Sequence, residues 1–554
     1  MAAERVSGKR PWSRIAPSAA LVALVLAASA TGLTNGFAYD DVLIVRDNPQ
    51  VHSLAQWAYD FVQGYWPREH GGALYRPLTL LLFTFQWLAG GGAPWVFHAC
   101  NVILYAALTL AVFALGARVL PRPAAWAAAA LFAVHPVHVE AVANVVGQAE
   151  ITTALAVVGG LWLYLYARRG PELRARESIG LLLLLVTAGL LKENGIVLVA
   201  LLLAAEVTIV VDPRRLSQRV GSLLPTYLLL GLGAALLLLA RRAALGALVG
   251  EYPALVLGNL GARDRLITML GIVPEWARLF LWPAHLRADY APPEFDAATT
   301  FGAPQVIGLA MLVTVAWLAL AVRRTRPALT FAILWVAIAL LPVSNLLVPT
   351  GILLAERTLF LPSIGVVLGA GLVASRAWEH LRRTPAPLPH LAMCAFTGLL
   401  VLGTVRSARR QPLWLDTPTV LAQLTKDAPL NYRAWLMYGG VLRQRGEVEA
   451  ARAAMLRAAG LYRHDGRIYE DLGQLVRFRN GCARAVPIFR RSLAIDPGRM
   501  DARGRLYVCL LETGDTTGAM AVAAEGARRG EWFFQLVMHT GPRPRQAPGA
   551  APVH

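Results

Sequence analysis

The chain has 554 residues, of which 56% are apolar and 16% charged, and its mean hydropathy is +0.49. So apolar a composition excludes an ordinary water-soluble globular protein, and the apolar runs are continuous rather than alternating, which disfavours a β-barrel. The net charge of +19 does not point to nucleic acid, because much of the arginine lies in short segments between apolar runs, as membrane orientation requires.

Lys9, Lys192 and Lys426 are the only lysines, a bias that fits genomic base composition rather than function. At the N-terminus Arg5, Lys9, Arg10 and Arg14 precede an apolar stretch. Signal peptides share that pattern; the length of the stretch, and its direct run into Asp40-Asp41, favour an uncleaved first membrane helix. Eleven spanning segments are predicted: 16–34, 95–116, 123–138, 148–167, 178–191, 194–211, 221–240, 303–322, 328–346, 358–375 and 388–405. The third and fifth are short for a bilayer core of about 30 Å, so their ends are expected in a cavity within the protein.

With the N-terminus inside, every short inner loop is basic, including Arg118 with Arg122, the cluster at 168–176 and the cluster at 323–326. Short outer connections are nearly free of basic residues, with Lys192 and Arg357 as exceptions. Two outer loops are long, 35–94 and 241–302. Their interrupted apolar stretches, 78–88 and 266–281, read as helices lying in the interface. An odd number of spans places the C-terminal tail outside.

Composition changes near Arg406, and a repeat of period 34 follows. Trp435, Tyr469 and Arg503 share the spacing, as do Gly446, Asn480 and Gly514, Gly439 with Gly473, and Met455 with Phe489. This is the tetratricopeptide helix–turn–helix pattern. About three repeats at 432–533 would form a short solenoid, capped by the segment with Trp532-Phe533-Phe534. The expected domains are therefore 1–405 and 406–554. Cys482 and Cys509 in the tail could form a disulfide if the tail is extracytoplasmic.

Polar groups concentrate at the predicted outer helix ends: Asp40 and Asp41, Tyr75-Arg76, His135, His138 and Glu140, Glu150, Lys192-Glu193, and Glu356-Arg357. Ionisable groups at a membrane boundary are functional candidates. Adjacent carboxylates repel, which raises the pKa of one toward a value useful for a general base. Arg357, Lys192 and Arg76 are cations suited to a phosphate. His135-x-x-His138 with Glu140 is short of a complete zinc ligand set, so no metal is assigned; Tyr75, His135, His138, Glu140, Glu150, Glu193 and Glu356 are read as substrate-binding.

The stretches Phe37-Ala-Tyr-Asp-Asp-Val42, Tyr75-Arg-Pro-Leu-Thr79, Phe132 to Val142, Leu191-Lys-Glu-Asn-Gly195 and Val348 to Ser363 resemble the transmembrane and tetratricopeptide-repeat protein O-mannosyltransferases of the GT-C superfamily. The resemblance covers nearly the whole chain, although this repeat array is short for the family. It implies an all-α polytopic membrane bundle followed by an α-solenoid. It also implies an inverting glycosyltransferase that needs no metal or other cofactor. Mannose would pass from a polyprenyl-phosphate donor to protein Ser or Thr at the outer face. By position Asp40 would be the base, with Asp41 orienting it or binding acceptor. The short tail and high arginine content suggest a bacterial inner-membrane protein with a periplasmic repeat domain. Competing readings are another lipid-linked sugar or acceptor, a transporter and an inactive scaffold. A transporter is disfavoured because the halves show no internal symmetry.

Overall fold

The computed structural model describes residues 12–67, 74–170, 172–248, 256–258 and 260–540. Arg5, Lys9 and Arg10 lie outside them. Every regular element among the described residues is helical. The first part holds α1 (Trp12–Ser29), α2 (Pro77–Gly90), α3 (Pro94–Val119), α4 (Arg122–Val134), α5 (Val139–Ala143), α6 (Gln148–Ala167), α7 (Ala175–Leu191), α8 (Val197–Thr208), α9 (Leu216–Leu245), α10 (Ala262–Leu281), α11 (Ala303–Val322), α12 (Pro327–Leu340), α13 (Phe360–Leu381) and α14 (Leu388–Arg410). The next helix is α15 (Thr417–Asp427).

Among the described residues, seven helices are long and apolar enough to cross a membrane, and an eighth crossing results if Arg122–Val134 and Pro136–Ala143 form one span bent by 50°. Pro136 supplies the break: it lacks the N–H that would continue α4 and forces His135 out of helical geometry. The expected segments 178–191, 194–211 and 328–346 form shorter helices, α7, α8 and α12. The polar sequence Lys192-Glu193-Asn194 separates α7 from α8. Helices also form over both stretches predicted to lie in the interface, as α2 and α10.

Small residues set the core of this part. Ala124, Ala125, Ala128 and Ala129 of α4 are buried. A Cβ on Gly371 of α13 would stand 2.5 Å from the Ala124 carbonyl. Close backbone approach through small residues is how helices pack where lipid removes the hydrophobic drive between them. Leu228, Leu232 and Leu239 of α9 and Val313 and Trp317 of α11 are exposed, an apolar exterior suited to lipid. The loop between α1 and α2 has its own core, in which Phe37, Ile44, Val45 and Val51 pack with Leu80, Phe83 and Phe97.

The chain divides into two compact units, Met1–Ala288 with Ala297–Val420, and Asp289–Asp296 with Leu421–His554. The division falls after Val420, where the sequence suggested 405: α14 continues to Arg410, and Trp414 and Val420 share a core with Ala38 and Val139 of the first unit. The second unit contains α16 (Tyr432–Gln444), α17 (Val448–Leu461), α18 (Gly466–Asn480), α19 (Cys482–Ile495), α20 (Met500–Glu512), α21 (Thr516–Arg528) and α22 (Trp532–Thr540). The first helices of the pairs begin at 432, 466 and 500, and the second at 448, 482 and 516, which reproduces the period of the sequence.

Gly439 faces Met455 and Gly473 faces Phe489, so each small residue accommodates the large residue of its own pair. Gly446, Gly481 and Gly514 take left-handed backbone between paired helices, where a side chain is disfavoured. In the second pair this position is Gly481, one residue after Asn480, because α18 is longer than α16 and α20. Arg503, at the aromatic position of the third pair, is buried and ion-paired with Glu531. Phe534 of α22 is buried against Gly526 and closes the array. Cys482 and Cys509 form a disulfide that joins α19 to α20. Within this unit Asp289–Asp296 lies against α16: Asn431 Nδ2 donates to the Asp289 carbonyl at 3.1 Å, and Pro292 accepts from Tyr432 N at 3.2 Å.

Candidate functional site

After α1 the chain is tied down by backbone and side-chain bonds. Asn35 Nδ2 donates to Gln411 O at 2.9 Å, and Tyr39 N donates to Thr417 Oγ1 at 2.9 Å. Tyr39 has φ of 56°, an uncommon conformation for a bulky residue and a mark of local strain. A turn of π-helix, Val42–Arg46, follows at once. This geometry sends Asp40 and Asp41 into different surroundings.

Asp41 is fully buried and accepts from Val146 N at 2.8 Å, Val145 N at 3.1 Å and Ala38 N at 3.4 Å. Burial pushes its carboxyl up to about 7, against the lowering effect of those N–H donors. Its role in the fold is to hold the turn before α6. A chain of buried amides supports the same turn. Gln86 donates to Gln148 at 2.6 Å, Gln148 to Asn101 at 2.9 Å, and Asn101 to the carbonyls of Val142 and Asn144.

Asp40 is only partly buried and lies 3.5 Å from Arg357 Nη1. Glu140 is buried and accepts from Arg357 twice, from the backbone N–H at 2.8 Å and from Nη1 at 3.0 Å. Glu356 turns the other way and accepts from Arg287 N. Thus the loop after α1 and the short helix α5 each bring a carboxylate to one cation in the turn before α13.

Two further ion groups complete the cluster. Lys192 pairs with Glu150. Glu193 accepts from Arg76 Nε at 2.9 Å, Arg241 Nη1 at 3.0 Å and Tyr75 N at 2.9 Å. Burial raises the Glu193 carboxyl, and the two guanidiniums more than reverse this, leaving it lowered to about 2. The Tyr75 hydroxyl donates to Phe61 O at 2.9 Å, so it braces the outer loop.

The two predicted histidines are committed to packing bonds. His138 bonds to Tyr105 Oη and Ser363 Oγ, each at 2.8 Å, between the rings of Phe132 and Phe360. His135 Nε2 donates to Phe280 O at 3.0 Å.

Tyr65 and Arg241 are absent from the sequence-derived set. Tyr65 is buried, its hydroxyl has no hydrogen-bond partner among the described residues, and Arg76 lies over its ring at 5.1 Å. Charges of Arg76, Asp40, Asp41 and Arg357 all act on that hydroxyl, though burial is the largest influence and raises its pKa. A buried donor left unmatched costs about 1–3 kcal/mol, and here it belongs to a site rich in carboxylates and guanidiniums. Arg241 was visible as an arginine at the start of a predicted outer loop, the side where few are expected.

No family model matches the chain. The chain is similar over most of its length to proteins named protein O-mannosyl-transferases. Mouse TMTC3 is 25% identical over 494 residues, covering 82% of this chain and 53% of the relative. Human TMTC4 is 27% identical over 473 residues, covering 75% and 62%. Fruit-fly Tmtc2 is 37% identical over a shorter stretch of 176 residues, 29% of this chain. The chain spans about half the length of the first of these relatives. Among solved structures, an Archaeoglobus fulgidus oligosaccharyltransferase tethered to an acceptor peptide aligns with a TM-score of 0.43 and 13% identity, over 77% of this chain and 59% of its own.

Proposed function

We propose that this protein is a membrane glycosyltransferase of the GT-C type that moves a sugar, mannose first, from a polyprenyl-phosphate donor to Ser or Thr of a protein. The names of the relatives support the reaction class. The observation that carries the residue assignment is the placement of Asp40 beside Arg357, within a cluster of four cations. In this reading the acceptor oxygen attacks the anomeric carbon and the carbon–oxygen bond to phosphate breaks, inverting the centre. The polyprenyl phosphate leaves with the bonding electrons, and Asp40 takes the hydroxyl proton.

Arg357 offers a planar fork to the leaving phosphate, with Arg76, Lys192 and Arg241 adding positive charge. The Tyr65 hydroxyl donates to the donor's phosphate or sugar. Asp41 positions Asp40 by anchoring the turn between them and α6. Eleven crossings would place this cluster and the repeat unit on the outer face of a bacterial inner membrane. The repeat unit, read as a tetratricopeptide solenoid, would hold the acceptor.

The test is transfer of radiolabelled mannose from polyprenyl-phosphate-mannose to membrane extract by purified protein, with Asp40→Asn beside it. Incorporation into protein that the variant abolishes supports the reading. Transfer that Asp40→Asn leaves intact removes Asp40 as the base. Transfer only from another lipid-linked sugar, or only into glycan or lipid, redirects the specificity. No transfer from any lipid-linked sugar favours a scaffold.

A further inference from the structure

We infer that the far ends of α3 and α6 form a binding site for the phosphate of an anionic membrane lipid. At its start, α3 carries His98, which bonds to Gly36 O at 3.1 Å close to the Asp40 loop. The turn leading into α6 carries the N–H groups that hold Asp41. From His98 to Arg118 the helix rises about 30 Å at 1.5 Å per residue, close to the thickness of a bilayer core. Arg118 and the end of α6 therefore stand at the membrane face opposite the carboxylates.

At that end the guanidinium of Arg118 lies over Trp162 at 4.5 Å and over Tyr166 at 5.2 Å. The two rings are stacked, with planes 4° apart. Arg169 lies over the same Tyr166 at 5.7 Å. Among the described residues no carboxylate pairs with Arg118 or Arg169, and Arg118 Nη1 is enclosed without a hydrogen-bond partner. The neighbouring Arg168 shows the contrast: it turns inward to Glu206 at 2.9 Å and Asp212 at 2.7 Å. Two adjacent arginines thus differ in counter-charge. One is neutralised within the fold, while the other shares a ring with a second cation and no anion.

Like charges held together repel, and a bound anion relieves the repulsion. Arginine fits a phosphate diester by paired N–H donors. The exposed Trp162 and Tyr166 are side chains suited to the headgroup level of a membrane. Basic pockets between helices at that level take anionic headgroups. The ligand class is therefore a phospholipid of net negative charge, with its phosphate on Arg118 and Arg169 and its glycerol along the Trp162–Tyr166 stack.

The experiment is native mass spectrometry of the purified full chain with phosphatidylglycerol or phosphatidylcholine of equal acyl length. Arg169 is exposed, so Arg169→Gln spares the core; Arg118→Gln is the second variant. Arg324→Gln, at an exposed position in another predicted inner loop, is the control. The expected result is retention of phosphatidylglycerol over phosphatidylcholine, reduced roughly tenfold by Arg169→Gln and by Arg118→Gln and unchanged by Arg324→Gln. Equal retention of both lipids, equal loss in the control, or wild-type retention by Arg169→Gln overturns the site. Displacement of the lipid by inorganic phosphate alone also overturns it, since the anion would then suffice without the lipid.

Discussion

Arg357 Nη1 lies 3.5 Å from the Asp40 carboxylate. Without substrate the two neutralise each other in part, and Glu140 accepts from the same Nη1 at 3.0 Å. A donor phosphate entering here would compete for the guanidinium and release Asp40 to act as base. Asp40→Asn should lower turnover by about 10²–10⁴-fold, the usual share of a general base. Arg357→Lys keeps the charge but loses the fork, so its loss should fall between wild type and Arg357→Gln. Rates from radiolabelled transfer, with melting in detergent as the folding control, check the order. A wild-type rate in the Lys variant would show that the charge suffices and the fork contributes nothing.

The parts of this cluster that sequence reveals are those whose chemistry is anomalous where they stand. Asp40, Lys192 and Arg357 are charges at membrane boundaries, and Arg357 and Lys192 sit where few cations are expected. Their partners were harder to see. Glu140 meets Arg357 across 217 positions, and Arg76 meets Glu193 across 117; no local pattern encodes such pairings. Tyr65 could not be singled out among the aromatics, because its distinguishing feature is an unmatched hydroxyl, a property of the folded chain. The repeat helices were legible because glycine and large apolar positions recur at the period of the fold. The number of crossings was less so, since α7, α8 and α12 have the apolar character of spans without the length.

Tyr65→Phe separates a binding role from a structural one. The hydroxyl has no hydrogen-bond partner among the described residues, so its removal should leave stability unchanged or raise it, by up to about 1–3 kcal/mol. If the hydroxyl meets the donor phosphate, KM for the donor should rise roughly 10- to 100-fold, the value of a hydrogen bond to a charged group. A stability loss with unchanged KM would assign Tyr65 to the fold instead.

Asp41 makes a pH prediction. Its folded pKa, about 7, is above the ordinary 3.8 because of burial. A carboxyl raised in this way binds its proton more tightly in the folded state. Its contribution is therefore fully present below about pH 4 and is lost as pH rises through 7. The slope for one such group is about 1.4 kcal/mol per pH unit between those limits. Wild type should lose stability relative to Asp41→Asn as pH rises from 5 to 7, and the difference should level off above 8. Parallel curves for the two proteins across this range would show that Asp41 does not titrate there.

The disulfide between Cys482 and Cys509 gives a prediction about both stability and compartment. It closes a loop with a sequence separation of 27, for which the chain-entropy account gives about 3–4 kcal/mol. Both sulfurs belong to the apolar core between α19, α20 and α21, so reduction should loosen that core before the first helix pair. Dithiothreitol should lower the melting temperature of wild type, while the Cys482→Ser/Cys509→Ser variant should melt at the reduced value with or without it. Protein alkylated at isolation should then carry label at Cys100 and Cys394 after denaturation, and at the other two only after reduction. Such bonds persist in oxidising compartments, so this pattern agrees with a repeat unit outside the cytoplasm. Immediate labelling of all four cysteines would place that unit in a reducing compartment and reverse the proposed orientation.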